Sequence, residues 1–503
     1  MEFTPSLYQE NIFKEIKTGS GDILIKAVAG SGKTTTIVES LKYISSTKTT
    51  GFFAFNNHIV EELRNRCPSY VDVTTLHSYG WRHMLSYYDG AKLNPNKIYH
   101  YCEKLLSRKV EFNQRAWYFI MISKLVDLLR LNVLTRKNEL IDISLKHNLD
   151  LTEKMIDDAM SVFLIACEDK KQFDFVDMIY VPAILDDIKL KLYDILFVDE
   201  AQDLSVVQIM LIDKIIKKKG RLISVGDPKQ AIYGFAGSDA ESFKKLENRP
   251  NTISLPLSVC YRCSKSIVMK AKEIVDYIEP FDKSPIGTVK EEGTINDARK
   301  GDWVLCRNVK PLVMLYVDTI SRGKKAHIKG EDIGKTLINL IKQTKERSMR
   351  LVILKLIGKL KSLKKELKSK KVIDVDKHPK VGFLSEMISV IIFLSNKYKT
   401  VDNIENVIVK MFKDNGEGIL LSTIHKSKGL ENDRVFIICP ELIPSKYAVK
   451  DWQLEQEENL KYVAYTRAKK ELIIVRDFKD SITDYSVHFK KAKSQLTELL
   501  TEN

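Results

Sequence analysis

Short apolar runs recur along the chain, each bounded by a turn signal and followed by a stretch with helical spacing. In the first half they fall at residues 22–27, 51–55, 70–74, 192–198 and 221–225, with helices expected over 34–43 and from Asn56 through Arg64. Strands that are apolar nearly throughout and alternate with helices predict a parallel sheet covered on both faces. The pattern restarts at 253–258, then continues with a helix over 264–277 and runs at 303–307, 418–422, 434–439 and 471–475. Two stretches break it. Residues 83–171 read as helices with little strand signal, and 341–372 as a basic helix with Leu356, Leu360, Leu363 and Leu367 on one face. The expected organisation is a first α/β domain over 1–82 and 172–250, interrupted by a helical insertion at 83–171. A second spans 251–330 and 416–503, interrupted by a small basic helical insertion at 331–415.

Residues 27–35, Ala-Val-Ala-Gly-Ser-Gly-Lys-Thr-Thr, join the first run to its helix. Glycines at 30 and 32 let successive backbone N–H groups turn inward around an anion, with the positive end of the helix behind them. In such a phosphate loop Lys33 reaches the β- and γ-phosphates and the Thr34 hydroxyl ligates Mg²⁺. Ala29, Gly30, Ser31, Gly32 and Thr35 complete the expected cradle, although Ala27 stands where the general pattern has its first glycine.

The run ending at Val198 opens into Asp199-Glu200-Ala201-Gln202-Asp203. Acidic groups at the C-terminal end of a central strand lie where α/β sheets present their ligands. Asp199 is expected to hold Mg²⁺ through water, and Glu200 to orient and deprotonate an attacking water. A helix N-cap with an acidic first turn is the plain structural alternative. Beyond the run at 221–225, Gln230 is placed to sense a γ-phosphate, while Tyr233 or Phe235 either stacks on a base or simply packs.

Composition narrows the class. A chain of 503 residues, 44% of them apolar, holds three or four domain-sized units, and 81 Lys and Arg against 66 Asp and Glu leave +15, which favours a polyanionic partner over a merely solvated basic surface only slightly. The basic helix carries the same choice between a packed stripe with a solvated face and DNA contact. Met1 to Pro5 lack the basic and apolar regions of a secretory signal, and no apolar run is long enough to span a bilayer. Seven scattered cysteines point to reduced thiols in a cytosol-like compartment; Cys260 and Cys263 form a C-x-x-C with no second pair to complete a zinc site.

In order along the chain, Gln9, AVAGSGKT, AFNN, TLHS, VDEAQD, VGDPKQAIYGF, YRCS, LSTIHKSKGLE and YVAYTRA closely resemble the motifs of superfamily 1 DNA helicases of the UvrD/Rep/PcrA type. The resemblance runs from residue 9 to 468, and with Gly330-Glu331-Asp332-Ile333-Gly334 it looks most like the compact members of that family. It implies two RecA-like α/β motor domains with ATP between them and Mg²⁺ as cofactor. Matched positions imply that Gln9 reads the adenine edge, Tyr261 stacks on the base and Glu431 contacts the ribose. Arg262 and Arg467 match the two arginines that neutralise the γ-phosphate when the cleft closes, joining Lys33, Thr34, Asp199, Glu200 and Gln230 as the catalytic set. Phe55, Asn57, His77, Tyr233, Phe235 and His425 match the single-strand track. Two departures bear on nucleotide affinity: Cys260 replaces the asparagine usual before Tyr-Arg, and Thr35 and Thr36 lack the arginine often found there.

The resemblance therefore implies an ATP hydrolase that moves 3′→5′ on single-stranded DNA and unwinds duplex in replication, repair or recombination. The alternative is a translocase that strips proteins from the strand and opens little duplex. Expected partners are single-stranded DNA, single/double-strand junctions and repair or replication proteins, with no membrane. The chain is expected to be monomeric or loosely self-associating in a cytoplasmic compartment that holds DNA.

Overall fold

The computed structural model describes residues 3–112, 115–146, 151–232, 242–369 and 374–478. The chain divides into two compact units, 1–259 and 260–503, and each is built on a six-stranded sheet.

The first unit runs α1 (Leu7–Thr18), β1 (Ile23–Ala27), α2 (Lys33–Ser40), β2 (Thr50–Phe53), α3 (Asn57–Arg64), β3 (Val71–Thr74) and α4 (Leu76–Tyr87). There follow β4 (Lys92–Leu93), α5 (Lys97–Leu106), α6 (Arg115–Asn132), α7 (Lys137–Lys146), α8 (Glu153–Glu168), β5 (Gln172–Phe173) and α9 (Asp177–Ile184). It closes with β6 (Tyr193–Val198), α10 (Val206–Ile215), β7 (Ile216–Gly226), α11 (Ser242–Glu247) and β8 (Ile253–Leu257). The sheet order is β3-β2-β6-β7-β1-β8, and its pairings are parallel.

Alternation explains why these strands are apolar at nearly every position. Ile23, Ile25, Phe52, Phe197 and Ile223 face one core, with Ile12, Ile37 and Leu63 from the helices on that side. Their neighbours Leu24, Phe53, Leu196, Val198 and Leu222 face a second core, with Tyr79, Val207 and Leu211. Both faces are buried, so each strand residue contributes; full burial of one such side chain stabilises by about 1.5–3 kcal/mol. The helices between α4 and β5 enclose a core of their own around Cys102, Phe119, Leu125, Leu129 and Val162. A buried ion network fastens that bundle: Arg130 Nη1 donates to Asp174 and Asp177, each at 2.8 Å, and Lys97 Nζ to Asp177 at 2.8 Å.

The second unit contains β9 (Val259–Cys260), α12 (Lys265–Lys272), β10 (Glu279–Pro280), β11 (Thr288–Lys290), β12 (Trp303–Cys306), α13 (Val309–Ser321) and β13 (Ala326–Ile328). Next come α14 (Glu331–Gln343), α15 (Met349–Ser369), α16 (Pro379–Lys397), α17 (Val401–Met411), β14 (Ile419–Thr423), β15 (Asn432–Ile438), α18 (Asp451–Tyr465) and β16 (Ala468–Val475). Its sheet order is β11-β16-β15-β12-β14-β13, again with parallel pairings. Two RecA-like α/β folds are the result.

Three expectations change. The run at 253–258, expected to open the second domain, supplies β8, the edge strand of the first sheet, paired with β1 from Ile23↔Ile253 to Ala27↔Leu257. The helix expected over 264–277 is shorter, Lys265–Lys272. Between 331 and 415 the helices do not make a separate body: Leu337 of α14 and Val352, Leu356, Leu360 and Leu367 of α15 share one core with Val304 and Leu421 of the sheet domain. The leucine stripe of the basic helix is therefore packing, with Leu363 partly buried beside it. Among the described residues no helix is long and apolar enough to cross a membrane.

Candidate functional site

The phosphate loop leaves β1 at Ala27 and is pinned at its start by Val28 N–H donating to Leu257 of β8 at 3.1 Å. Gly30 (φ +68°) and Gly32 (φ +76°) occupy the left-handed region, where a side chain is strained. Helix α2 then begins at Lys33 with no side-chain cap, so its first N–H groups are left for an anion. Ser31 Oγ is buried without a hydrogen-bond partner, an orphan that a phosphate oxygen satisfies. The residues present thus fit a nucleotide triphosphate. Thr35 Oγ1 accepts from Arg66 Nη2 at 3.2 Å, so an arginine from beyond α3 reaches the loop that lacks one in sequence. Gln9 is buried; its Nε2 donates to Thr36 Oγ1 of α2 at 2.9 Å, while its Oε1 caps α1 through Ser6 N–H at 2.9 Å.

The C-terminal ends of β6 and β7 bring the acidic groups against this loop. Lys33 Nζ lies 3.2 Å from both carboxylate oxygens of Glu200. Burial disfavours the lysine's charge, but Glu200, Asp199 and Asp227 outweigh it and hold its pKa above the ordinary value. Asp199 is pushed up to about 6, by burial first and by Glu200 second, against the pull of Lys33 and of hydrogen bonds from Glu200 N–H and the Thr34 hydroxyl. Asp227, also raised by burial, accepts from Gln230 Nε2 at 2.7 Å. A Mg²⁺ ion suits the Thr34 and Asp199 pair: a hydroxyl and a carboxylate already in contact, beside an excess of buried negative charge. Glu200 itself sits at φ +52°, a left-handed conformation that costs about 1–2 kcal/mol for a residue with a Cβ.

Gln202, to which sequence assigned no role, ties this cluster together. Its buried amide donates to Glu200 Oε2 at 2.6 Å and accepts from Asp227 N–H at 3.0 Å. A Cβ at Gly226 would collide with Gln202 Oε1, so the glycine ending β7 permits this close approach. The available signal was a polar residue two positions after the strand-end glutamate in a segment that had to bury.

In the second unit four residues expected at the nucleotide come together. Arg262 forms an ion pair with Glu431. Arg467 is only 1% exposed; it lies in the turn between α18 and β16, with Nε donating to Val463 O at 3.0 Å and Nη1 to Leu430 O at 2.8 Å. Burial, and then the Arg262 charge, lowers its pKa to about 10. Tyr261 packs on Phe281 with ring centroids 4.8 Å apart.

For the single-strand track, Phe55, Asn57 and His77 gather just beyond the ends of the adjacent strands β2 and β3. Phe55 is 53% exposed. Asn57 Oδ1 accepts from Ser78 Oγ at 3.4 Å, linking the starts of α3 and α4. Burial lowers the pKa of His77. In the second unit His425 follows β14, beside the strand β12; the next residue after β12, Arg307, grips Glu457 of α18 with its guanidinium at 2.7–3.0 Å. Burial, and then the Arg307 charge, depresses His425 to about 3. It is thus a neutral hydrogen-bonding group. Tyr233 and Phe235 lie outside the described residues.

Comparison with known proteins finds helicase family models and helicase relatives. The model of the UvrD/REP helicase N-terminal domain matches residues 8–251, and that of the UvrD-like helicase C-terminal domain matches 418–475. The F-box DNA helicase protein 1 of Schizosaccharomyces pombe is 26% identical over 518 residues, covering 93% of this chain and 57% of that protein. The ATP-dependent DNA helicase PcrA of Bacillus subtilis is 24% identical, over 57% of this chain and 42% of its own length. PcrA of Staphylococcus aureus is 28% identical, over 52% and 38%. The chain thus spans 38–57% of the length of these relatives.

Proposed function

Since the chain belongs to the UvrD-like helicases of superfamily 1, we propose that it is an ATP-driven motor that travels 3′→5′ along single-stranded DNA and separates duplex ahead of it. The observation that carries the reading is the buried network Lys33–Glu200–Gln202–Asp227–Gln230 around an uncapped helix start. Without nucleotide, Lys33 and Glu200 neutralise each other. A triphosphate in the loop draws the Lys33 ammonium to its own oxygens, and the Glu200 carboxylate is released to take a proton from water. Thr34 and Asp199 would hold Mg²⁺, which would supply charge neutralisation on the phosphates.

Arg262 and Arg467 complete the reaction from the second unit, where their approach to the γ-phosphate makes turnover depend on closure. Gln9 and Tyr261 take the adenine, and Glu431 the ribose once Arg262 leaves it. Phe55 stacks on a base, Tyr233 and Phe235 extend the stacking, and Asn57, His77 and His425 bond sugar or phosphate. The working boundaries are 1–82 with 172–250, an insertion at 83–171, then 251–330 with 416–503 and an insertion at 331–415, with β8 reassigned to the first sheet. Phosphate release in the presence and absence of single-stranded DNA tests the motor: DNA stimulates the wild type, and Lys33→Ala abolishes hydrolysis while still binding the strand. Hydrolysis that ignores DNA refutes it.

A further inference from the structure

Cys260 and Cys263 flank Tyr261 and Arg262, and both are buried, at 0% and 1% exposure. They are reduced thiols in side-chain contact, and the Cys263 S–H donates to Thr466 O. The backbone N–H groups of Arg262 and Cys263 point at the Cys260 sulfur, and the Arg262 guanidinium lies beside it. This is a thiolate nest: hydrogen-bond donors and a cation converge on one sulfur, as nucleophilic cysteines require. The second sulfur also lies 3.8 Å from Thr466 O, with Arg467 as the next residue. A bond between the sulfurs therefore acts on both arginine-bearing segments at once.

We propose that Cys260 and Cys263 are a reversible redox pair, oxidised to a disulfide by a small hydroperoxide, and that the disulfide displaces Tyr261 and Arg262 and slows nucleotide turnover. The effect on turnover rests on the nucleotide roles proposed above. In the first step the Cys260 thiolate attacks the peroxide; the O–O bond breaks, a sulfenic acid forms on Cys260, and the departing oxygen leaves as water or alcohol after taking a proton. In the second the Cys263 sulfur attacks the Cys260 sulfur; the S–O bond breaks and hydroxide leaves with the Cys263 proton as water. Two thiols lose two electrons, the peroxide gains them, and a dithiol reductant reverses the change. Burial restricts the oxidant to molecules near the size of water.

The test treats the full chain, carrying Cys67→Ser and Cys167→Ser, with hydrogen peroxide. Remaining thiols are blocked, peptides are analysed by mass spectrometry, and DNA-stimulated hydrolysis is measured before and after dithiothreitol. Expected is a Cys260–Cys263 cross-link with a roughly 10²-fold fall in turnover, the loss that a 1 Å misplacement of a catalytic group can bring, recovered on reduction. Cys260→Ala or Cys263→Ala, whichever folds, keeps its activity under peroxide. Absence of the cross-link at peroxide levels that fully oxidise Cys167 in the parent chain overturns the pair. A cross-link with unchanged turnover overturns its effect on the nucleotide site. If the reduced protein hydrolyses no ATP, the functional reading fails and the regulatory half with it, while the cross-link alone still decides whether the pair exists.

Discussion

Replacing Gln202 by alanine probes the coupling between the acidic cluster and the strand end at Asp227. The change deletes the 2.6 Å donation to Glu200 and strips Asp227 N–H of its 3.0 Å acceptor. A hydrogen bond to a charged group is worth about 1.5–3 kcal/mol, and orphaning a buried donor costs about 1–3 kcal/mol. Asp227 is fully buried, so relaxation into water recovers little. A loss of about 3 kcal/mol is roughly a hundredfold in an equilibrium constant. A chain of two compact units does not unfold in one cooperative step, so the readout is local: amide hydrogen exchange at Asp227 and its β7 neighbours. Protection there should fall about a hundredfold, with helix α8 unchanged. Glu200 loses its orienting donor as well, so kcat for DNA-stimulated hydrolysis should fall while ATP binding changes little. Gln202→Glu should be worse, because it sets a third carboxylate against Glu200 and Asp203. Wild-type exchange and kcat in Gln202→Ala would refute the reasoning.

Arg467→Lys cannot make the two carbonyl contacts of the guanidinium fork, and stimulated hydrolysis should fall about 10³-fold, as loss of an arginine finger does, with strand affinity retained in a fluorescence titration. Phe55→Ala removes a ring that is 53% exposed, so it should leave thermal stability within about 0.5 kcal/mol yet weaken single-strand binding by about 1–3 kcal/mol. His425 has a folded pKa near 3 against an ordinary 6.5. The unfolded chain therefore binds more protons between those values, and stability present above pH 6.5 is lost as pH falls towards 3. His425→Gln should flatten that acid limb in melts of the second unit at pH 7 and pH 5, and an unchanged difference between the two would count against the buried neutral imidazole.

Much of the fold is written locally. Runs such as residues 192–198 are apolar at every position but Asp194 because successive residues face two separate cores, a pattern visible in sequence. The phosphate loop and the acidic strand end were legible for the same reason, since each depends on a few adjacent residues. Membership of a sheet is not local: nothing within residues 253–258 distinguishes pairing with β1 from pairing with a later strand. Whether the helices between 331 and 415 form their own core or join another depends on which apolar faces meet, and α15 meets the sheet domain's core. Gln202 was hidden because its partners come from both neighbours in sequence and Asp227, 25 residues away. The Cys260 nest was hidden because backbone N–H directions decide it.

The most direct measurement of the motor claim is strand displacement from duplexes tailed at the 3′ or 5′ end, run beside release of a protein bound to a single strand, with ATP and Mg²⁺. Displacement of the 3′-tailed duplex by the wild type, and none by Lys33→Ala, is the predicted result. Protein release without duplex opening would point to a stripping translocase, and duplex opening by Lys33→Ala would contradict the nucleotide-driven motor itself.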